Sequence, residues 1–412
     1  MKPILSLILA ALIVRAEAQP FSFAQKAAPR FQYELANLAA SDSTLSRLLL
    51  GISILQGDLS FMPVAQGFEA EYRISLAIVN AGGDTVAAHQ EEARLRVETL
   101  AETHSRQKYA FHRFDFNLPP GQYVAHLTLL DRASHLHTQA IAAKQLRDFG
   151  AANSTLVVSD ALWLERPSWE AGSYELMLFE NTTNPNRELA LYLEIKSRDR
   201  DTPLQVRQTI RNAHNEIVLQ QQRVWSRHGA IEKIFLPIGT ELLPYGSYEV
   251  EMTLQQGAAH ERVVAGFRLA WDDIPRTALH LNHALAAAKY LASEEENQTL
   301  QFALTQEALP TKQEILRKFW QAHDTTTTHA VRSAFYQRMV EAEDKFGGER
   351  RGWQTDLGRV YLMHGSPDEI EIPSRTSKAQ PFQIWRYRAR SREFLFIDRK
   401  GLGLYQLALG QD

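Results

Sequence analysis

The sequence predicts a three-part chain: two tandem antiparallel β-sandwiches, followed by a C-terminal α+β domain. Three observations support this prediction. Short segments that alternate apolar and polar residues fill the N-terminal part of the chain. A turn-and-strand unit then recurs at a constant offset of 125 residues. After Pro275 the alternation gives way to helical spacing and then to four further strand-like segments.

The prediction of the first sandwich depends on five alternating segments separated by turn residues. Gly82 and Gly83 lie between the second and third segments, where a tight hairpin connection needs residues that tolerate a positive φ. Short antiparallel strands at this spacing are typical of a β-sandwich. The predicted strands are residues 48–55, 69–79, 92–98, 113–117 and 123–130.

A second block repeats part of this plan. Residues 118–123 read Leu-Pro-Pro-Gly-Gln-Tyr, and residues 243–248 read Leu-Pro-Tyr-Gly-Ser-Tyr. In each copy the last tyrosine starts an alternating segment, as in the tyrosine corner of immunoglobulin-like sandwiches, where the hydroxyl binds the preceding loop. We therefore expect two tandem immunoglobulin-like sandwiches, at residues 19–150 and 151–272. Two unrelated turn–strand junctions are the alternative, because Pro-Gly turns are common.

Residues 273–412 are expected to form the α+β domain, because helical periodicity precedes a run of strands. Thr311 is the predicted N-cap of the second helix, directly after Pro310, and the third helix is expected to end at Gly347. Helices are predicted at residues 278–291, 312–323 and 329–346. A small antiparallel sheet is predicted from strands at residues 359–363, 383–388, 393–398 and 404–409.

The N-terminus has the pattern of a secretory signal peptide at residues 1–18. Lys2 precedes an apolar run over residues 4–14, and Ala16 and Ala18 form a small-x-small site for cleavage before Gln19. The run is shorter than the roughly 20 residues of a membrane span. No later segment is long and apolar enough to span, so we expect an exported mature chain without a transmembrane segment, in the periplasm or at the cell surface. An uncleaved anchor helix is the alternative.

Composition excludes several classes of protein. A length of 412 residues favours two or three domains, and the absence of cysteine excludes disulfides, thiol catalysis and thiolate metal sites. Lys and Arg (45) nearly balance Asp and Glu (48), for a formal net charge of -3. A dedicated nucleic-acid binder would normally be strongly basic, so we expect no nucleic-acid partner.

A group of motifs follows the third predicted helix. Residues 352–356 read Gly-Trp-Gln-Thr-Asp, residues 358–361 read Gly-Arg-Val-Tyr, and residues 364–371 read His-Gly-Ser-Pro-Asp-Glu-Ile-Glu. With Lys-Phe-Trp at residues 318–320 and Ile-Trp-Arg-Tyr at residues 384–387, this segment resembles the GWxTD domain family over about residues 310–410. The resemblance implies an exported bacterial protein, often with β-sandwich segments before the domain, and it implies no assigned activity.

One departure from the family pattern is visible. Family members usually have an Arg-Asp-Pro-type loop after the Phe-Trp helix. This chain has His323 and Asp324 there, followed by four threonines at residues 325–328. The loop is expected to persist without the family's arginine.

Most of the signature has a structural interpretation. Gly352 permits a backbone turn that other residues resist, and a large indole ring is buried beside it. Thr355 is expected to bond its own backbone and close that turn, and Asp368 to do so in a second turn. Glu369 and Arg359 are expected to pair. The signature positions are Gly352, Trp353, Thr355, Asp356, Gly358, Arg359, Gly365, Pro367, Asp368 and Glu369.

A functional interpretation concerns the polar groups of the signature. They fall on predicted loops at strand ends, where binding sites are frequent. Carboxylates beside a histidine are suited to acid–base chemistry or to holding a divalent cation. Their spacing matches no nucleophile or zinc template. This possible ligand or metal cluster consists of Asp356, Arg359, His364, Asp368 and Glu369.

Two weaker signals lie outside the cluster. Arg386, Arg388 and Arg390 alternate with Trp, Tyr and Ala, so they are expected to share one strand face. This face is either a solvated outer surface or an anion-binding stripe for a phosphorylated or acidic glycan, and aromatic rings on the opposite face disfavour base stacking. His280 and His283, three apart on a predicted helix, are expected to be surface or packing residues.

The leading functional hypothesis is an exported, non-catalytic envelope protein that binds or scaffolds an unknown envelope protein or glycan. Its grounds are the signal peptide, the tandem sandwiches and the lack of a recognisable catalytic constellation. No cofactor and no resident metal are expected. The alternatives are an envelope hydrolase that uses the signature carboxylates and a binding module stabilised by a divalent cation.

Overall fold

A computed structural model describes most of the chain. It is built largely of antiparallel β-sheets, with most of its helices and one small sheet in the C-terminal part. Within the described residues, no helix is long and apolar enough to cross a membrane. The described residues are 27–105, 108–150, 156–168, 173–176, 182–184, 188–197, 199, 201–226, 229–271, 273–326, 329–348, 350–373 and 380–409. The predicted signal peptide lies outside them.

The N-terminal part forms eight strands and one short helix. They are β1 Phe31–Ala39, β2 Ser46–Leu55, β3 Met62–Pro63, β4 Phe68–Asn80, β5 Thr85–Val97, α1 Leu100–Thr103, β6 Tyr109–Leu118, β7 Gly121–Asp131 and β8 His137–Leu146. One sheet has the strand order β1-β2-β6. The other has the order β3-β4-β7-β8, with β5 also paired to β4. All these pairs are antiparallel.

One hydrophobic core lies between these two sheets. Alternate residues of β2, β4 and β7 enter it, because successive side chains of a strand point to opposite faces. The five strands predicted here overlap β2, β4, β5, β6 and β7, and Gly83 adopts a φ of +87° in the predicted hairpin turn. The core includes Leu48, Leu50, Ile52, Ile54, Ile74, Leu76, Ile78, Leu127 and Leu129.

The middle part also forms two sheets around one core. Its strands are β9 Leu156–Val158, β10 Leu162–Ser168, β11 Ser173–Leu176, β12 Thr182–Thr183, β13 Leu189–Ser197, β14 Leu204–Asn212, β15 Ile217–Trp225, β16 Ile231–Ile238, β17 Gly246–Gln256 and β18 Ala259–Leu269. One sheet has the order β11-β10-β13-β16, with β9 also on β13; the other has the order β12-β18-β17-β14-β15. Only the β12–β18 pair is parallel among the described strands.

The repeated turn-and-strand unit has the same geometry in both copies. Tyr123 Oη donates a hydrogen bond to the Pro119 carbonyl at 2.8 Å, and Tyr248 Oη donates one to the Pro244 carbonyl at 2.6 Å. Gly121 and Gly246 begin the two strands with φ of +157° and +145°. The hydroxyl-to-loop bond expected at each predicted tyrosine corner is therefore present.

The two sheet pairs contact each other through a second apolar layer and two carboxylates. Leu38 of β1 packs with Leu164 of β10 in that layer. Glu194 is 1% exposed; it accepts a hydrogen bond from the Ala39 N–H at 2.8 Å and pairs with Arg47. The strand β13 is therefore buried on both faces, which explains its nearly continuous apolar sequence.

The C-terminal part contains five helices and four strands within its described residues. They are α2 Ala278–Ala288, α3 Glu294–Thr305, α4 Leu309–His323, α5 Ala330–Phe346, α6 Asp356–His364, β19 Glu369–Glu371, β20 Phe382–Tyr387, β21 Arg392–Ile397 and β22 Gln406–Leu409. The strands form one antiparallel sheet in the order β19-β20-β21-β22. The three predicted helices are confirmed as α2, α4 and α5, and three of the four predicted strands correspond to β20, β21 and β22.

The strand predicted at residues 359–363 is wrong, because these residues belong to α6. Thr355 caps this helix, its Oγ1 accepting the Gly358 N–H at 3.0 Å. Leu357, Val360 and Tyr361 are buried at helical spacing. The prediction missed this spacing because a short apolar run fits a strand as well as a helix. Thr311 is not an N-cap either, since α4 begins two residues earlier.

The helix α3 was not predicted. Its sequence is strongly polar, and only Leu300 and Ala303 are buried, so it lacks a clear apolar stripe. Its start is nonetheless defined by a capping box, in which Ser293 and Glu296 each bind the backbone N–H of the other. Local capping therefore determines where this helix begins.

The two signature glycines allow close packing of three segments. A Cβ added to Gly352 would lie 1.9 Å from the carbonyl oxygen of Ala342 on α5, and one added to Gly358 would lie 1.8 Å from the carbonyl oxygen of Gly352. The turn that carries Trp353 thus rests on α5, and α6 rests on the turn. The indole between them is fully buried.

We expect Gly358→Ala to destabilise the protein, although alanine favours a helix by about 1 kcal/mol relative to glycine. The added methyl group overlaps backbone atoms, and overpacking of this kind costs typically up to about 3 kcal/mol. Urea unfolding should therefore show a net loss of about 2 kcal/mol. Gly266→Ala is the matched control, because its Cβ would lie 3.6 Å from the nearest atom. Equal stability of the two variants would contradict this account of the signature.

Candidate functional site

The carboxylates of the predicted cluster lie at opposite edges of the C-terminal sheet. Asp356 Oδ2 accepts the N–H of Leu407, on β22, at 2.7 Å. Asp368 Oδ2 accepts the N–H of Arg388, next to β20, at 2.6 Å, and Glu369 begins β19. Because β19 and β22 are the two outer strands, three strand spacings, or about 14 Å, separate them. The structure does not bring Asp356 together with the other carboxylates.

The remaining polar groups of the cluster lie near the β19 edge or on α6. His364 Nδ1 is 3.0 Å from Arg390 Nη1, and its ring packs on Phe394. Arg359 is half-buried on α6. Glu369 pairs with Arg386 and Arg388, and hydrogen bonding to the Arg388 guanidinium lowers its pKa first of all. Within the described residues, no three His, Asp or Glu side chains are grouped so as to hold a metal ion.

The predicted arginine stripe does not follow one strand. Only Arg386 lies in β20; Arg388 and Arg390 follow its end, in a 3₁₀ turn that connects to β21. The turn includes Ser391 with a positive φ of +50°, so regular alternation stops before it. Arg386 pairs with three carboxylates, at 2.6 Å to Glu371, 2.8 Å to Glu393 and 3.2 Å to Glu369. Its positive charge is therefore already balanced.

The rest of the signature supports the fold around α6. Gly365 ends the helix with a φ of +81°, and its carbonyl accepts a hydrogen bond from Tyr387 Oη at 2.9 Å. Arg338 of α5 donates to the carbonyl of Leu362, one of the last carbonyls of α6, at 3.3 Å. Pro367 lies in the loop between Gly365 and β19. These contacts fix both ends of the helix.

A cleft that was not predicted lies where the middle sheets meet the C-terminal domain. Its volume is about 440 Å³, within the range of ligand pockets. Three segments line it: the turn between β14 and β15, the start of β17, and the end of α5 with the loop that leads to the signature. The lining residues used below are Asn212, His214, Glu216, Val218, Tyr245, Ser247, Glu343, Asp344, Arg350 and Arg351.

The two carboxylates at the end of α5 have hydrogen-bond and ion-pair partners within the protein. Glu343 accepts the Gly352 N–H at 2.7 Å and pairs with Arg351 at 3.0 Å. Asp344 accepts the N–H of Ser247 at 2.8 Å and its hydroxyl at 2.7 Å. Arg268 approaches Asp344 at 3.4 Å. These carboxylates join the signature turn and β17 to the same helix end.

The turn between β14 and β15 forms the opposite wall. The Asn212 side-chain oxygen accepts the N–H groups of His214 at 3.0 Å and Glu216 at 2.9 Å, which shapes the turn. His214 Nε2 lies 3.0 Å from the Glu343 carbonyl oxygen. A Cβ added to Gly347 would lie 2.7 Å from the same nitrogen, so glycine at this position leaves room for the histidine.

The positive charges at the cleft remain accessible. Arg350 is exposed and makes no hydrogen bond or ion pair with any part of the chain that the structure describes. Arg351 is 38% exposed despite its pair with Glu343. Glu216, the third carboxylate of the lining, is exposed and accepts a hydrogen bond from the Asn212 amide at 2.7 Å. Arg350 is therefore the positively charged group that the cleft offers to a ligand. Chemically it is suited to binding an anionic group.

A buried aromatic cluster lies behind the cleft. The Tyr245 ring packs against Trp271 at 4.8 Å and His283 at 5.8 Å, and His283 packs against Trp353 at 6.4 Å between ring centroids. Burial raises the pKa of Tyr245 and lowers the pKa of His280 and His283 to about 4. Both histidines are therefore neutral at pH 7. Of the two expected roles, surface or packing, the structure gives them the packing role.

Sequence reasoning missed the cleft because its walls come from distant segments. Residues 212–218, 244–248 and 343–354 contribute to it, and no single segment carries a binding pattern. Two local features did mark its position: the second tyrosine corner and the helix end at Gly347. Neither indicates that the two lie side by side.

The chain is similar to a known family and to parts of solved structures. The family model of the GWxTD domain matches residues 253–401. None of the curated proteins compared with the chain matches it. Dimeric latent PorU from Porphyromonas gingivalis is similar at 12% identity, over 61% of this chain and 21% of that chain, with a TM-score of 0.26.

Two further crystal structures are similar at the same low level. Trypsin-activated alpha-2-macroglobulin from Escherichia coli has 12% identity over 60% of this chain and 17% of that chain, with a TM-score of 0.19. A calcium-binding mutant of Bacteroides uniformis beta-glucuronidase 2 has 10% identity over 57% and 28%, with a TM-score of 0.20. The chain thus spans between 17% and 28% of these three proteins, and such scores carry no argument about function.

We expect acid to destabilise the protein through His280 and His283. Their pKa in the folded state is about 4, below the value of about 6.5 in an unfolded chain, so protons bind the unfolded state more tightly. Their contribution to stability is complete above pH 6.5 and is lost as pH falls towards 4. Between pH 7.5 and 4.5 each histidine should account for roughly 2 kcal/mol of the free energy of unfolding.

Denaturant unfolding at both pH values measures this loss. His280→Leu should reduce the difference between the two pH values, and exposed His260→Leu should leave it as in the wild type. An unchanged difference in the His280 variant would show that other groups cause the acid sensitivity.

Proposed function

The family model of the GWxTD domain matches residues 253–401 of this chain, and from this premise we propose that the chain is a non-catalytic binding protein of the bacterial envelope. In this proposal the cleft between the middle sheets and the C-terminal helices holds an acidic group of an envelope protein or glycan. The observation that carries the proposal is the guanidinium of Arg350, which lines the cleft, is exposed and is unpaired among the described residues, whereas Glu343 and Asp344 already accept hydrogen bonds from the chain.

The state of the signature carboxylates supports a binding role over hydrolysis. Asp356 and Asp368 each accept a backbone N–H, and Glu369 pairs with two arginines. A general acid needs a carboxyl with a raised pKa, whereas the pKa of Glu369 is lowered. The signature carboxylates therefore act as hydrogen-bond acceptors that stabilise the fold. Because they are not available for acid–base chemistry, a ligand held by arginine side chains is favoured over hydrolysis.

The proposal includes export. The positive Lys2, the apolar run over residues 4–14 and the small residues Ala16 and Ala18 support a cleaved signal peptide. We expect the protein recovered from the periplasm or medium of a bacterial host to begin at Gln19. Ala18→Arg should block this cleavage, because signal peptidase sites require small residues. N-terminal sequencing of both forms checks the expectation, and an intact N-terminus on exported wild type would favour the anchor alternative.

The proposal also assigns an immunoglobulin-like topology to both sheet pairs. The hydrogen bonds from Tyr123 to Pro119 and from Tyr248 to Pro244 support it, because a tyrosine corner is a hallmark of such domains. Sandwiches of this class commonly display binding loops at their ends, which is where the cleft lies on the second pair. Strand-by-strand comparison of an experimental structure with immunoglobulin domains tests the assignment.

Binding of acidic polymers tests the function of the cleft directly. Fluorescently labelled poly-glutamate and polygalacturonate represent an acidic protein and an acidic glycan, and fluorescence anisotropy at low salt measures their affinity. Arg350→Glu should weaken binding of the preferred polymer by about tenfold or more, because it replaces attraction by repulsion. Arg399→Glu makes the same charge change at an exposed position outside the cleft and should have little effect.

The outcomes separate the alternatives. Binding that both variants weaken equally reflects overall charge and contradicts the cleft assignment. Failure of wild type to bind either polymer contradicts an acidic ligand. Unfolding curves of the variants should match the wild type, since Arg350 has no hydrogen bond or ion pair with the described part of the chain.

A further inference from the structure

The outer edge of the five-stranded middle sheet is open. There β15 pairs with β14 on one side and with no strand of the described chain on the other. Three of its apolar side chains are exposed: Ile217 at 51%, Val218 at 39% and Val224 at 68%. An open edge of this length presents unpaired backbone N–H and C=O groups to another strand.

Two other long edges of the protein are protected. The edge strand β5 carries four charged residues, and three of them, Glu92, Arg94 and Arg96, form ion pairs with β4. The edge strand β16 carries Lys233 and Pro237, and a proline cannot donate to a new ladder. In contrast β15 has no proline, and Arg223 is its sole charged residue. Natural proteins normally guard edges against pairing, so the lack of such protection on β15 suggests a partner strand.

The sequence of β15 is suited to pairing with itself. It reads Ile-Val-Leu-Gln-Gln-Gln-Arg-Val-Trp over residues 217–225. In an antiparallel pair centred on Gln221, Val218 meets the second Val224, Ile217 meets the second Trp225, and the glutamines meet one another. Arg223 meets the second Leu219. Apolar residues thus pair at both ends and amides in the middle, and no like charges lie opposite each other.

We propose that two copies of this chain associate through antiparallel pairing of their β15 strands, with the twofold axis at Gln221. The two five-stranded sheets become one continuous ten-stranded sheet, and both open edges disappear. The occupant is a second copy because the edge is complementary to its own sequence in this one register. The inference does not depend on what the cleft binds.

The pairing has a consequence for the cleft. Val218 lines it, so the second copy's Val224 and the residues next to it come to lie beside the cleft. Each dimer then has two clefts, and each one is bordered by both copies. This isologous arrangement is the usual one for twofold dimers.

Charge variants test the register. Val218→Glu alone places a charge opposite the second copy's Val224, and Val224→Lys alone places one opposite the second copy's Val218. Because the dimer is twofold symmetric, each single variant does so at both ends of the interface. We expect each to raise the dimer dissociation constant by about tenfold in sedimentation equilibrium, given the size of cross-strand pair energies. The double variant puts Glu opposite Lys at both ends and should restore the dimer. A monomer at high wild-type concentration, or a double variant no better than the single ones, overturns the proposal.

Cysteine cross-linking gives an independent readout, because the chain contains no cysteine. Gln221→Cys puts two thiols opposite each other at the twofold axis, so mild oxidation should yield a covalent dimer. Gln90→Cys, on the exposed edge strand β5, is the matched control and should stay monomeric under the same oxidation. Equal cross-linking of the two variants overturns the proposal, even where the charge variants fold poorly.

Discussion

Two adjacent carboxylates at the end of α5 determine how the C-terminal domain joins the rest of the chain. Glu343 holds the N–H of the signature turn, and Asp344 holds Ser247 at the start of β17. A negative charge near a helix C-terminus costs about 0.3–1 kcal/mol. A hydrogen bond to a charged group contributes about 1.5–3 kcal/mol, so the bonds outweigh that cost. The signature turn, α6 and the cleft all take their positions from this helix end.

The junction between the two sheet pairs uses the same chemistry. Glu194 accepts the Ala39 N–H across that junction, and Asp160 accepts the Asn37 N–H at 2.8 Å while pairing with Lys144 and Arg147. Apolar contact alone has no preferred rotation, whereas a carboxylate that accepts a specific N–H fixes one. Each unit is therefore held to the next by directional bonds. In a chain without cysteines, this role cannot be taken by disulfides.

Local patterns predicted the parts of the structure that local physics controls. Alternation located β2, β4, β5, β6 and β7, the turn-and-tyrosine units located both tyrosine bonds, and Gly347 marked the end of α5. The prediction was wrong at residues 359–363, where an arginine followed by four apolar residues fits either a strand or a helix, and the cap at Thr355 decides for the helix. The arginine stripe required the strand to continue past Tyr387, but a tight turn begins there. The cleft was out of reach because it depends on contacts between segments about 100 residues apart.

The signature is best understood as the packing motif that makes the cleft possible. Gly352 and Gly358 remove the side chains that would separate α5, the turn and α6, and the Trp353 ring fills the space that remains. Residues committed to packing in this way cannot also select a ligand, because their polar groups already have partners or are buried. In the proposed function, selection falls to groups at the rim of the domain, such as Arg350, which has no hydrogen-bond or ion-pair partner among the described residues. That proposal assigns the fold of the domain and the choice of ligand to different residues, so a protein that keeps the GWxTD signature would be free to change what it binds.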